Sequence, residues 1–206
     1  YVEEGILTRK GQFNLREYTM AVVTIDSYSE SNQSAEISQY DDRYYVGQSF
    51  TGNGGVLESA KFYIRKAGTP IGNINVVVYA ETHATAFGTD SAGTGSVLAT
   101  SNSVDSTTLG TSLALVSFTF TGENQITLTD GTYYVIMVGG NTGADINNCV
   151  KVGYDNSSPT HAGNLVTKDI YGWAVSDSYD TCFYVYAEPT GAIVGDTYPL
   201  PAFKQA

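Results

Sequence analysis

Charge is scarce in this 206-residue chain. Only 15% of its residues are Asp, Glu, Lys or Arg, against roughly 25% in an average soluble domain. What charge there is leans acidic, with 21 acidic and 10 basic residues and a formal net charge of −11. No basic patch with interleaved aromatics occurs, and an acidic surface repels a phosphate backbone, so no nucleic-acid partner is expected. Long apolar runs are missing too, which leaves no membrane-spanning segment. Cysteine is limited to Cys149 and Cys182. Neither lies in a C-x-x-C pair, so zinc and dithiol redox motifs are absent. The even count permits one disulfide, and two buried thiols fit equally well. No segment has a convincing helical period, which sets aside parallel architectures that need crossover helices. No internal repeat is present, so propellers and solenoids are set aside as well. The chain begins at Tyr1 rather than Met and shows no signal peptide, which reads as a processed or trimmed product.

Catalytic motifs are equally thin. The two histidines, His83 and His161, sit in polar loops and read as solvated. Neither belongs to an H-E-x-x-H pattern, and no G-x-S-x-G elbow accompanies the many serines. A glycosidase's two carboxylates can sit anywhere in a sequence, and 21 acids scattered through loops are a weak signal for one. The expectation is a protein that is not an enzyme and has no cofactor, unless an ion fills an acidic loop.

Glycine and tyrosine are plentiful. Twenty-two glycines mark a turn-rich chain, and 16 tyrosines with 8 phenylalanines supply a core and half-buried pleated surfaces. The clearest stretch runs from Thr111 to Gly140. Val116, Phe118 and Phe120 alternate with Ser117, Thr119 and Thr121, and Tyr134 and Ile136 belong to a run that reads as buried on both faces. Further strands are predicted over 19–28, 44–51, 56–66, 74–80, 97–104, 149–154 and 182–187, with a weaker hairpin about Gly172. Asn53-Gly54-Gly55 and Asp130-Gly131 punctuate them as turns. Residues 29–39 read as a loop. About nine or ten strands without helices predict an all-β chain, an antiparallel β-sandwich of jelly-roll type spanning residues 19–188. Residues 1–18 follow neither strand nor helix period and read as an N-terminal arm, with Phe13, Leu15 and Arg16 as assembly contacts. Residues 189–206, rich in Gly and Pro, read as a C-terminal arm.

The stretches GQSFTG, SAKFYIRKAGTPIGNINVVVYA, GSVLATSNSVDSTTLGTSLALVSFTF and LTDGTYYVIMVGG, with VKVGYDNSSPTHAGN and TCFYVYAE after them, resemble β-sandwich domains of bacterial extracellular proteins and of phage or metagenomic virion proteins. The resemblance covers roughly 44–188 and rests on a strand-and-turn framework. It implies a jelly-roll-like module used for display, assembly or glycan contact, in an extracellular or virion setting, and it transfers no catalytic residue.

Three kinds of candidate site follow. Exposed aromatics can stack on sugars, which points to Trp173, Tyr171, Tyr179 and Tyr63. Asp41 with Asp42, and Asp177 with Asp180, lie near strand ends and would suit calcium. Asn32-Gln33-Ser34 and Asn156-Ser157-Ser158 match the N-glycosylation triplet. The leading expectation is a structural or interaction subunit whose arms contact neighbours in a homo-oligomer or other structural subunits. The alternative is a carbohydrate-binding, adhesin-like module that contacts surface glycans.

Overall fold

A computed structural model describes residues 21–40, 43–82, 92–140 and 145–189, together with the backbone of residues 2–7 and 13–18. The strands in chain order are β1 (Val2–Leu7), β2 (Phe13–Tyr18), β3 (Val23–Tyr28), β4 (Ala35–Gln39), β5 (Arg43–Thr51), β6 (Val56–Ala67), β7 (Asn73–Glu81), β8 (Gly93–Thr100), β9 (Val104–Asp105), β10 (Ala114–Thr119), β11 (Tyr133–Gly139), β12 (Cys149–Asp155), β13 (Leu165–Asp169), β14 (Gly172–Ser176), β15 (Asp180–Thr181) and β16 (Phe183–Glu188). Every pairing is antiparallel. Two large sheets form. One joins β3, β16, β6, β12 and β15, with β10 on β6 and β4 on β12. The other runs β14-β13-β5-β11-β7-β8, with β9 on β7. The chain is an antiparallel β-sandwich in which consecutive strands repeatedly change sheet.

Alternation explains the core. In β6, Leu57, Ala60, Phe62 and Ile64 are buried, while Lys61, Tyr63 and Arg65 stay half-exposed. They meet Val46 and Phe50 of β5, Val76 and Val78 of β7, Ile136 and Val138 of β11, and Phe183 and Val185 of β16 in one cluster. Two inner faces with period-two side chains give this single layer of packing. β11 lies between β5 and β7 and is buried along nearly its whole length, as its unbroken apolar run requires.

The stretch from Thr111 to Gly140 is divided differently from a paired unit. β10 pairs with β6 in the first sheet and β11 enters the second, so its two strands lie in different sheets. Phe118, Phe120, Tyr134 and Ile136 are buried as expected, and Val116 packs against them. Residues 35–39, expected as loop, form β4 along β12. The Glu and Ser of AEISQ mask an edge strand, where one polar face is normal. The first 18 residues, expected to lack strand period, contain β1 and β2. These pair only with each other among the described residues, with Leu7 opposite Phe13, Gly5 opposite Leu15 and Glu4 opposite Arg16.

One edge of β6 is shared. Its first part (Val56–Phe62) pairs with β16 and its last part (Ile64–Ala67) with β12. Cys182 stands at the fork: its carbonyl accepts from the Tyr63 amide at 3.3 Å, and its amide donates to the Gly153 carbonyl at 3.0 Å. Cys149 pairs with Ala67, four residues further along β6. At about 3.3 Å per residue the two cysteines are separated by about 13 Å, beyond the roughly 7 Å limit of a disulfide. Both are therefore buried free thiols.

Candidate functional site

The loop after β12 carries the first departure from expectation. His161 is not solvated. Its side chain is 9% exposed and packs edge-on against Phe183, ring centroids 5.3 Å apart, with Tyr28 at 6.3 Å. The Gly163 amide donates to Nδ1 at 2.9 Å, so Nε2 carries the proton of the neutral ring and donates to Asp26 Oδ1 at 2.9 Å. The His161 amide donates to Asp180 Oδ2 at 2.8 Å, and Gln48 Nε2 donates to Asp180 Oδ1 at 2.8 Å. Gln48 Oε1 in turn accepts from the Thr181 amide, and the Thr181 hydroxyl donates to the Gly47 carbonyl.

Asp155 completes the network. Its Oδ2 accepts from the Tyr28 hydroxyl at 2.8 Å. Its Oδ1 accepts from the Ser34 hydroxyl at 2.9 Å, the Ser157 amide at 2.8 Å and the Ser157 hydroxyl at 2.7 Å. Burial alone would raise this carboxyl, but those donors outweigh it and hold it well below the usual carboxylate range. Asp180, with fewer donors, is raised by burial. The Tyr28 hydroxyl is pushed up to about 12, first by burial and then by its bond to Asp155. Among the described residues, no serine, threonine or cysteine side chain bonds His161. Its two ring nitrogens and the carboxylates are engaged in tying β3, β5, β12 and β15 together, so the network acts as a latch between the sheets.

The expected calcium pair separates. Asp177 is exposed and, among the described residues, accepts from Ser178, whereas Asp180 is buried with both oxygens taken by N–H donors. Asp41 and Asp42 lie outside the described residues, as do His83 and the chain beyond residue 189. Among the described residues no group of three or more His, Cys, Asp or Glu is placed to hold a metal ion.

The four candidate sugar-contact aromatics lie in different places. Trp173 of β14 packs perpendicular to Tyr79 at 4.9 Å between centroids. Lys168 covers it, with Nζ 4.9 Å from the Trp173 ring and 4.6 Å from the Tyr79 ring, while donating to the Tyr79 hydroxyl. Tyr171 is 83% exposed on the β13–β14 turn. Tyr179 packs beside Tyr154. Tyr63 alone belongs to a broad aromatic surface, the outer face of the first sheet.

That face holds residues the sequence reading passed over. In β16, Phe183 and Val185 point into the core, so Tyr184 and Tyr186 point out. Their rings are nearly parallel, 17° apart with centroids at 6.3 Å. The Tyr184 hydroxyl donates to Glu30 Oε2 at 2.6 Å, a bond that together with burial raises its pKa. Lys61, directly opposite Tyr184, sets Nζ 5.1 Å over the Tyr186 ring. Tyr63 lies next along β6, beside Gly153. A Cβ at Gly153 would come within 3.0 Å of the Tyr63 ring and 3.1 Å of Gln33. Further along, Arg65 forks Glu36 at 2.8 and 2.6 Å, and Lys151 donates to Ser38. The alternation in CFYVYA was the available signal for Tyr184 and Tyr186.

No family model matches the chain, and no curated protein matches it. Among solved structures, it is similar to the cysteine protease and lectin-like domains of Cwp84, a surface layer associated protein of Clostridium difficile. The TM-score is 0.49 and the identity 9%, over 87% of this chain and 38% of that one. A likeness at this level carries no weight for function. No described helix is long and apolar enough to cross a membrane.

Proposed function

We propose that this protein is a non-catalytic carbohydrate-binding module of an extracellular assembly, and that it binds through the outer face of its first sheet. The observation that carries the reading is the near-parallel pair Tyr184 and Tyr186 beside Tyr63 on a rigid sheet. Sugar C–H faces stack on such rings, and tyrosine offers amphipathic area at low entropic cost. The bond from Tyr184 to Glu30 fixes the platform before a ligand arrives, which lowers the cost of binding. A glycan array read with wild type, the Tyr184→Ala/Tyr186→Ala double variant and Trp173→Ala tests it. The double variant is expected to lose binding and Trp173→Ala to keep it. Wild type that binds no glycan removes the reading.

A second reading, a displayed subunit of a virion or surface assembly, draws on β1 and β2. A two-stranded hairpin is at best marginally stable alone in water, and this one has no strand partner in the sandwich sheets among the described residues. A neighbouring subunit would supply that support. Deleting residues 1–18 should then leave a folded sandwich that assembles poorly; sedimentation showing the same oligomer as wild type removes the idea.

A further inference from the structure

The two edges of the second sheet meet. Trp173 lies on β14 at one edge, and Tyr79 and Gly93 lie on β7 and β8 at the other. In a flat sheet four strand spacings would hold β14 and β7 about 19 Å apart. Yet the Trp173 and Tyr79 rings are in contact, and the Trp173 ring leaves no room for a Cβ on Gly93. The outer face is therefore rolled up. The β13–β14 hairpin lies over it, and a second apolar cluster that includes Val135 and Met137 is buried beneath. Lys168 stands inside this roll, directly opposite Trp173 on one side and Tyr45 on the other. Its ammonium faces two rings set at 90° to one another and donates to the Tyr79 hydroxyl. Glu81, two residues beyond Tyr79 and so on the same face, is a buried carboxylate opposite Gly93. Among the described residues Lys168 has no carboxylate partner, and it stays half-exposed.

We propose that this corner is a binding site for a methylated ammonium group, the trimethylammonium of a choline-type head group, and that Lys168 is its built-in competitor. The walls select a cation. Aromatic faces carry negative potential, and the Tyr79 hydroxyl oxygen and the Glu81 carboxylate add to it, so an anion is repelled. Rings within about 6 Å of a cation attract it, and aromatic cages of this kind hold quaternary ammonium ligands. Here the chain supplies the cation itself, with Nζ inside that range of both rings. A lysine ammonium is a displaceable occupant. It is compact, strongly hydrated and carried on a flexible stem, so water competes with the rings for it. A trimethylammonium group has no N–H to hydrate and presents methyl groups to the rings. The site lies on the opposite face of the sandwich from the tyrosine platform and goes beyond the carbohydrate reading.

The test is titration with choline at constant ionic strength, followed by calorimetry and by the fluorescence of Trp173, the chain's single tryptophan. The control is the neutral alcohol in which a carbon replaces choline's nitrogen. Choline is expected to bind wild type, and Lys168→Gln to bind it about tenfold tighter, because removing the competitor raises the fraction of open sites. Tyr79→Phe keeps the ring and removes the hydroxyl that holds Lys168, so it should tighten binding as well. Tyr79→Leu removes a wall and should weaken binding by about fivefold. Equal affinity for choline and the neutral alcohol shows an apolar pocket and overturns the cage. Equal choline affinity in wild type, Lys168→Gln and Tyr79→Phe overturns the role of Lys168. No choline binding by Lys168→Gln or Tyr79→Phe protein that melts like wild type overturns the site itself, and the carbohydrate reading is untouched by that result. Binding of phosphorylcholine without binding of phosphatidylcholine vesicles supports a soluble or polymer-borne head group, and the reverse supports a lipid-borne one.

Discussion

Asp155 is the group whose loss should be felt most. Five donors converge on its carboxylate: the Tyr28 hydroxyl, the Ser34 hydroxyl, the Ser157 amide and hydroxyl, and, at 3.4 Å, the Ser158 amide. Asp155→Ala removes this acceptor from all five, although the Ser34 hydroxyl keeps Asn156 Oδ1 at 2.9 Å. Ser34 and Ser157 are exposed residues whose hydroxyls can turn to water, but Tyr28 is 5% exposed and cannot. At about 1–3 kcal/mol for each donor left unsatisfied, with two such donors counted (the Tyr28 hydroxyl and the Ser157 amide), the cost is about 2–6 kcal/mol. That is a large fraction of a typical domain's stability, roughly 5–15 kcal/mol. Asp155→Asn keeps the shape and loses the charge, and charge-assisted bonds are about twice as strong as neutral ones, so it should cost about 2 kcal/mol. The pH dependence follows from the depressed carboxyl. Its stabilisation is complete above the unfolded carboxyl value of about 3.9 and is lost as the pH falls toward the lower folded value. Asp180 acts in the opposite sense. Its raised carboxyl costs stability when ionised and releases that cost on protonation, which softens the acid transition without reversing it. Urea unfolding from pH 7 to pH 3, with an unchanged slope on denaturant, measures both effects. The reasoning fails if Asp155→Asn stays within about 0.5 kcal/mol of wild type at pH 7, or if Asp155→Ala loses stability below pH 5 as steeply as wild type.

Other outcomes follow from the same structure. Burial pushes the Cys182 thiol up to about 12, so thiol reagents at pH 8 should leave it unmodified in the native protein and modify both cysteines in urea; an intact mass showing the oxidised pair would refute the free thiols. Gly47 lies so close to β11 that a Cβ there meets the Ile136 carbonyl. Gly47→Ala should therefore cost more than about 3 kcal/mol, and a thermal midpoint near wild type would contradict that. Gly153→Ala should displace the Tyr63 ring and weaken glycan binding with little loss of stability, read by calorimetry and thermal melting together; unchanged binding would remove Tyr63 from the platform. Trp173→Ala exposes the packing around Tyr79 and should cost about 2 kcal/mol, below the range for fully buried aromatics.

The sandwich was legible because its information is local. Period-two alternation in β6 and the unbroken apolar run of β11 each name a strand and its buried face without knowledge of the rest of the chain. Where the reading failed, the deciding partner was remote or the pattern was polar. β4 looks like loop because an edge strand can be Glu and Ser on one face, and only β12, more than a hundred residues later, makes it a strand. The two halves of the stretch from Thr111 to Gly140 look like a pair by spacing, yet β10 pairs with β6 in one sheet and β11 with β7 in the other.

The latch and the tyrosine face were illegible for a shared reason. His161 reads as a loop histidine because Asp26, the acceptor that defines its state, is 135 positions away, and Gln48 and Thr181 meet across 133. Distances of that order appear in no motif. Tyr184 and Tyr186 were visible as the outward half of an alternating strand, but outward tyrosines become a platform only beside Lys61, Tyr63 and Gly153 from other strands. These two features also join physically. Asp155 ends the strand that carries Gly153, and Phe183, the residue before Tyr184, packs on His161. Loss of the latch in acid should therefore loosen the fork where β6, β12 and β16 meet, directly beneath the platform. Glycan affinity and the protection of the Cys182 thiol should fall together as the pH drops, since Cys182 sits at that fork. Affinity lost while Cys182 stays protected would separate the two and refute the coupling of the latch to the platform.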